Sequence, residues 1–231
     1  MPLSEDTTMD HERDESYRYQ PCNGLQTRIV SFTLFVIVMM MLAVADKTWS
    51  RANVAVDTTT FNNHLREKRA IQDSLLRWEE ASPIPIDQRE TFSGLSYFQP
   101  QLKFRLNGAL HLYGRQRQML TETNTDTLVN VVRFGRFAAE FLGERFWLEI
   151  YRTKGTDELS VFFTDSTNGS STYSGGRYVP VYRQANGLCV IDFNEAYNPY
   201  CAYNNSYICP LPPPQNHLNF PVTAGEKAYN P

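Results

Sequence analysis

Hydrophobic and polar positions along the chain fall into four regimes. Residues 1–28 are polar, mix both charge signs and show no hydrophobic period, the pattern of a disordered tail. Ile29–Ala45 then runs for 17 residues without a charge or a strong helix breaker. A helix of that length rises about 25 Å, at the short limit for a bilayer core of about 30 Å. Residues 46–90 open with a polar connector. Phe61, Leu65, Ile71, Leu75 and Trp78 then recur at near-helical spacing, which predicts an amphipathic helix capped by Asp57 or one of Thr58, Thr59 and Thr60 and running to about Glu80. Pro83 and Pro85 end it, because proline disfavours helical geometry in the residue before it.

From Thr91 onward the period shortens to two. Predicted strands cover Thr91–Phe98, Leu102–Leu106, Ala109–Tyr113, Leu128–Phe141, Arg145–Arg152, Leu159–Phe163, Gly176–Tyr182 and Leu188–Phe193. Leu142, Gly143 and Glu144 form a turn leading into the alternation of Phe146, Leu148 and Ile150 with Trp147, Glu149 and Tyr151, so a hairpin is expected there. Short strands at this spacing favour an antiparallel barrel or roll over a parallel sheet, which needs a helix between successive strands. The expected fold is mainly β over residues 91–231, with one N-terminal transmembrane helix and one amphipathic helix.

The apolar segment decides location. It is either an uncleaved single-pass anchor or the core of a signal peptide, with Ala43, Val44 and Ala45 before Asp46 as a small-x-small cleavage site. Both readings make the membrane a partner and place the C-terminal domain outside the cytoplasm. Arg18 and Arg28 on one flank are matched by Lys47 and Arg51 on the other, so charge does not set the orientation. A net charge of −3 gives no basic excess for a phosphate backbone, which argues against nucleic acid.

Glycines, prolines and polar residues concentrate between Phe163 and Lys227. The stretch FTDSTNG at 163–169 with TYSGGRY at 172–178, the stretch IDFNEAYNPYCAY at 191–203, CPLPP at 209–213 with Asn216, and AGEK at 224–227 stand in one order. Together they resemble the family known as domain of unknown function 1684. Asn168 stands where that family often has serine, and His217 where arginine is common. The resemblance implies an architecture and a set of suspect ligand-binding residues, Asp165, Thr172, Tyr173, Arg177, Asp192, Asn194, Tyr197, Asn198 and Asn216, but no reaction.

Physical chemistry gives each a role and an alternative. Arg177 follows two glycines and presents either a bidentate fork to an anionic ligand or an internal salt bridge to Asp165 or Asp192. Asp192, Asn194, Tyr197 and Asn198 follow a strand end, where they either face a cleft or serve turn chemistry. Cys201 and Cys209 flank a loop containing Asn204, Asn205 and Ser206 that folds back on itself, and in an exported domain they are expected to form a disulfide. Glu226 and Lys227 pair with Arg177 or a sheet edge, or are simply solvated. No cofactor or metal is implied, since the cysteines lack a C-x-x-C pair. Three functions remain: a membrane-anchored domain binding a small polar or anionic ligand; an accessory subunit of a membrane complex; and a hydrolase using Asp165 or Asp192 as base with Arg177 as stabiliser.

Overall fold

The structure is a computed structural model that describes residues 57–152 and 157–230. The tail, the apolar segment and most of the connector lie outside the described residues. Among the described residues no helix is long and apolar enough to cross a membrane.

Helix α1, Thr58–Trp78, starts where Asp57 caps it: the carboxylate accepts the backbone N–H groups of Thr59 and Thr60, both at 3.1 Å. In its last turn Leu76 O accepts from Ser82 Oγ, and beyond its end Arg89 donates to the carbonyls of Glu79, Glu80, Ser82 and Ile84 and so ties down the turn that follows. The buried face differs from the one expected. Phe61, Leu65 and Leu76 are buried, whereas Ile71, Leu75 and Trp78 are 53%, 44% and 75% exposed. The inward stripe therefore runs through positions 61, 65, 69, 72 and 76, with Arg69 and Gln72 at its middle and Leu76 packed on Ile84 and Phe92 outside the barrel.

Six antiparallel strands close into a barrel: β1 Arg105–Glu122, β2 Leu128–Phe141, β3 Glu144–Arg152, β4 Leu159–Phe163, β5 Arg177–Arg183 and β6 Leu188–Asp192. Each pairs with the next and β6 returns to β1, Arg105 opposite Asp192 and Ala109 opposite Leu188. Leu142 and Gly143 both take positive φ in the β2–β3 turn, as a two-residue hairpin requires. Inward residues Phe137, Leu148, Ile150, Val161, Phe163, Val179, Ile191 and Phe193 are completely buried. Each such side chain stabilises the fold by roughly 1.5–3 kcal/mol over its exposed state.

Two expected strands change. Thr91–Phe98 is not a strand; its bridge, Tyr97 opposite Glu226, lies outside the barrel sheet. Leu102–Phe104 is a 3₁₀ turn before β1. In turn, β1 continues past Tyr113, and after a register shift its arm pairs with β2 from Arg117–Arg133 to Glu122–Leu128. The arm reads as polar because it projects past the barrel, where neither face is fully covered.

Candidate ligand-binding cleft

Most of the suspect residues hold the barrel together. Gly176, at φ +91 and with Phe163 O 2.7 Å from where a Cβ would stand, turns the chain so that Arg177 enters the interior. The Arg177 guanidinium is completely buried and donates to Asp165 Oδ2 at 2.9 Å, Val222 O at 2.8 Å, Ala224 O at 2.5 Å and Glu226 O at 3.2 Å. Asp165 Oδ1 also accepts Thr167 N–H and Val222 N–H. Of the two roles open to Arg177, the internal salt bridge is the one observed, and it clamps the segment 222–226 against the barrel.

The same holds for others. Asp192 pairs with Arg105 at 3.1 Å and accepts from the backbone and side-chain amides of Asn194. Asn216 accepts from Glu149 N–H and donates to the carbonyls of Glu149 and Phe162. Thr172 bonds within its own loop to Thr167 and Asn168. The disulfide expected between Cys201 and Cys209 is not formed, and both are free buried thiols, as is Cys189. The loop does fold back as expected, but its closure is a hydrogen bond from Cys201 N–H to Cys209 Sγ at 3.3 Å, with Tyr173 Oη 3.8 Å from Cys201 Sγ. A hydrogen bond from Cys209 holds the Cys201 thiol down at about 7.

A cleft of about 340 Å³ opens between α1 and the barrel, within the usual range for small-molecule sites. Of the suspect residues, Asn194, Tyr197 and Asn198 line it; Arg69, Tyr97, Tyr203 and Glu226 line it too and were missed. Residues 96–98 run beside 225–227, with Phe98 N–H donating to Gly225 O and Lys227 N–H to Ser96 O. That pairing brings Tyr97 and Glu226 together. The Arg69 guanidinium lies 4.3 Å over the Tyr97 ring and donates to the carbonyls of Phe98 and Asn194. On the rim, Lys68 pairs with Glu195 at 2.7 Å, joined by the Tyr182 hydroxyl.

Glu226 is 2% exposed rather than solvated. Its Oε2 accepts from Asn198 N–H at 2.8 Å and Tyr203 O–H at 2.6 Å, while Oε1 accepts nothing among the described residues. Burial raises its carboxyl to about 7, against the pull of those two bonds. Four buried side-chain polar atoms lack a hydrogen-bond partner among the described residues, and two of them, Arg69 Nε and Asn198 Oδ1, belong to cleft residues. The lining of the cleft therefore includes a carboxyl poised between its charged and neutral forms.

The signals for the missed residues were weak but present. Arg69 interrupts the apolar stripe of α1 at a position that faces the barrel, and Glu226 stands in a motif of its own, AGEK, close to the chain's end.

Known proteins add the family but no activity. The profile of a family described as a protein of unknown function (DUF1684) matches residues 90–227. An uncharacterized protein of Haloarcula marismortui, known from its solution NMR structure, is 31% identical; the match covers 75% of this chain and 97% of that one, with a TM-score of 0.60. No curated protein matches the sequence.

Proposed function

The chain belongs to the DUF1684 family of proteins of unknown function, and on that premise we propose that its barrel domain is a binding module that captures a small polar ligand in the cleft under α1. One observation carries the reading: a cleft of about 340 Å³ under α1 gathers Arg69, Asn194, Asn198 and Glu226 among tyrosines. A few polar groups set among apolar walls fix the orientation of a small polar ligand. Tyr97, Tyr197 and Tyr203 supply apolar walls. A hydrolase would need Asp165 or Asp192 to reach its substrate. Both are buried, ion-paired and outside the cleft lining, which favours binding over that chemistry.

The location proposed for the module is the extracytoplasmic face of a membrane, carried there by Ile29–Ala45. Protease accessibility in intact cells or spheroplasts tests this, and full protection of the domain refutes it. For the cleft, full-length protein is purified and the small molecules released on denaturation are measured against an Arg69→Gln variant of matched thermal stability. The expected result is a ligand carried by the wild type and reduced at least tenfold in the variant, the scale of one charge-assisted hydrogen bond. Equal carriage, or none in either, overturns the proposal.

A further inference from the structure

Resting on the membrane location proposed above, we infer that the outer sheet face of β1, β2 and β3 is a docking surface for a membrane that carries anionic phospholipid. Residues directly opposite one another in an antiparallel ladder share a face. Arg117 stands opposite Arg133 across β1 and β2; across β2 and β3, Arg136 stands opposite Glu149, Ala138 opposite Trp147 and Glu140 opposite Arg145. A register shift separates Arg133 from Arg136, but both reach Glu149, so the two halves form one face. Four arginines therefore share it with two carboxylates. Glu149 is consumed inside the face: it is completely buried and meets Arg133 at 2.8 Å, Arg136 at 3.0 Å and the Tyr113 hydroxyl at 2.7 Å. Glu140 lies 3.9 Å from Arg145 in an exposed pair, which contributes little. Arg117 has no ion pair among the described residues.

Such a surface strains the fold on its own and suits lipid. Like charges directly opposite in a ladder are destabilising, so Arg117 against Arg133 is a rung that an external anion relieves. The excess is local, since the chain as a whole carries −3. All four cations are arginines, whose planar forks meet phosphate oxygens two at a time. The face is also amphipathic. Trp147 lies on it, 40% exposed with the Arg136 guanidinium 4.1 Å over its ring, and Leu142 at the tip of the β2–β3 hairpin is 78% exposed, three residues from Arg145. A partner with a layer of phosphates and an apolar layer just beneath satisfies both sets. Ile29–Ala45 brings such a partner within reach, because the connector from Ala45 to Thr58 extends at most about 45 Å.

The test uses full-length protein in which Trp147 is the sole tryptophan, through Trp49→Phe and Trp78→Phe. It is reconstituted into vesicles of phosphatidylcholine alone or mixed with phosphatidylglycerol, with bromine on the acyl chains near the headgroup as quencher. Trp147 emission is expected to be quenched about twofold more in the mixed vesicles than in phosphatidylcholine, a difference that high salt removes by screening. Arg117→Gln with Arg145→Gln, both exposed and outside the Glu149 cluster, should remove most of that difference and leave Tm unchanged. Trp147 quenched equally in both lipids, or in neither, overturns the docking surface while the location stands. If the protein floats with neither vesicle, the membrane location falls and the docking surface with it. A DNA duplex that shifts Trp147 emission without lipid, with the same dependence on Arg117 and Arg145, assigns the face to nucleic acid and overturns the lipid reading.

Discussion

Replacing Arg177 with alanine separates a ligand clamp from an architectural clamp, and the geometry sets the size of the effect. The substitution strands Asp165, whose carboxylate is completely buried 2.9 Å from the guanidinium. Removing one partner of a buried pair costs roughly 3–5 kcal/mol. The carbonyls of Val222, Ala224 and Glu226 lose their shared donor as well, and each unmet buried group adds roughly 1 kcal/mol or more. A total of at least about 5 kcal/mol is expected, against a typical domain stability of about 5–15 kcal/mol. For a domain of this size that corresponds to roughly 10–20 °C in Tm. Urea unfolding gives the free energy. The double variant Arg177→Met with Asp165→Leu removes the uncompensated charge but not the lost carbonyl donors, so it should recover part of the loss and not all of it. A single variant that costs under about 1 kcal/mol with an unchanged urea slope refutes the clamp.

The other expectations concern the cleft and its supports. Glu226 titrates near 7 in the fold, above its ordinary range, so the folded state holds the extra proton. Stability is therefore greatest in mild acid and falls as pH rises to about 7, by roughly 3 kcal/mol at about 1.4 kcal/mol per unit. Glu226→Gln should flatten that slope in urea midpoints taken across the window, and a wild type already flat there contradicts the assignment. Asn216→Ala deletes three buried hydrogen bonds joining the loop to β3 and β4; a loss of roughly 2–4 kcal/mol is expected by the same measurement, and a near-neutral result argues that the loop relaxes. Gly225 sits at φ +77, with Ala196 O 2.5 Å from the place a Cβ would take. Gly225→Ala should lower Tm by about 4 °C or more, and an unchanged melt shows that the cleft floor yields.

The barrel was legible because its inward residues alternate with little interruption. The hairpin at Leu142 and Gly143 and the strands Leu128–Phe141, Arg145–Arg152 and Leu159–Phe163 fall close to where the pattern put them. The helix was legible in extent but not in direction: Ile71, Leu75 and Trp78 look like the buried stripe, yet the true one holds Arg69. A stripe that includes a cation at a contact position scores as polar, although it is what brings charge into the cleft. The suspect polar residues divided for a physical reason. Arg177, Asp192 and Asn216 had backbone groups of their own fold within reach and were consumed by them. Asn198 was half consumed, its amide bonding Lys227 O and its oxygen left over. Glu226 could not be distinguished from a solvated terminal charge, because its burial depends on contacts with residues far away in the chain, Tyr97, Asn198 and Tyr203.

The cleft has two walls of different origin, and that division bears on how it works. The barrel wall is fixed: the Arg177 clamp holds the segment bearing Glu226, and the turn after β6 places Asn194 and Asn198. The α1 wall is held more lightly. Phe61 and Leu65 pack against the domain, but Arg69 reaches the barrel side through two carbonyl bonds at 3.2 and 3.4 Å, and Lys68 through a half-exposed ion pair. Exposed pairs of that kind contribute little. Under the proposed binding role, a ligand that touches both walls puts part of its binding energy into holding α1 on the barrel. By mass action the helix docks more firmly when the cleft is filled.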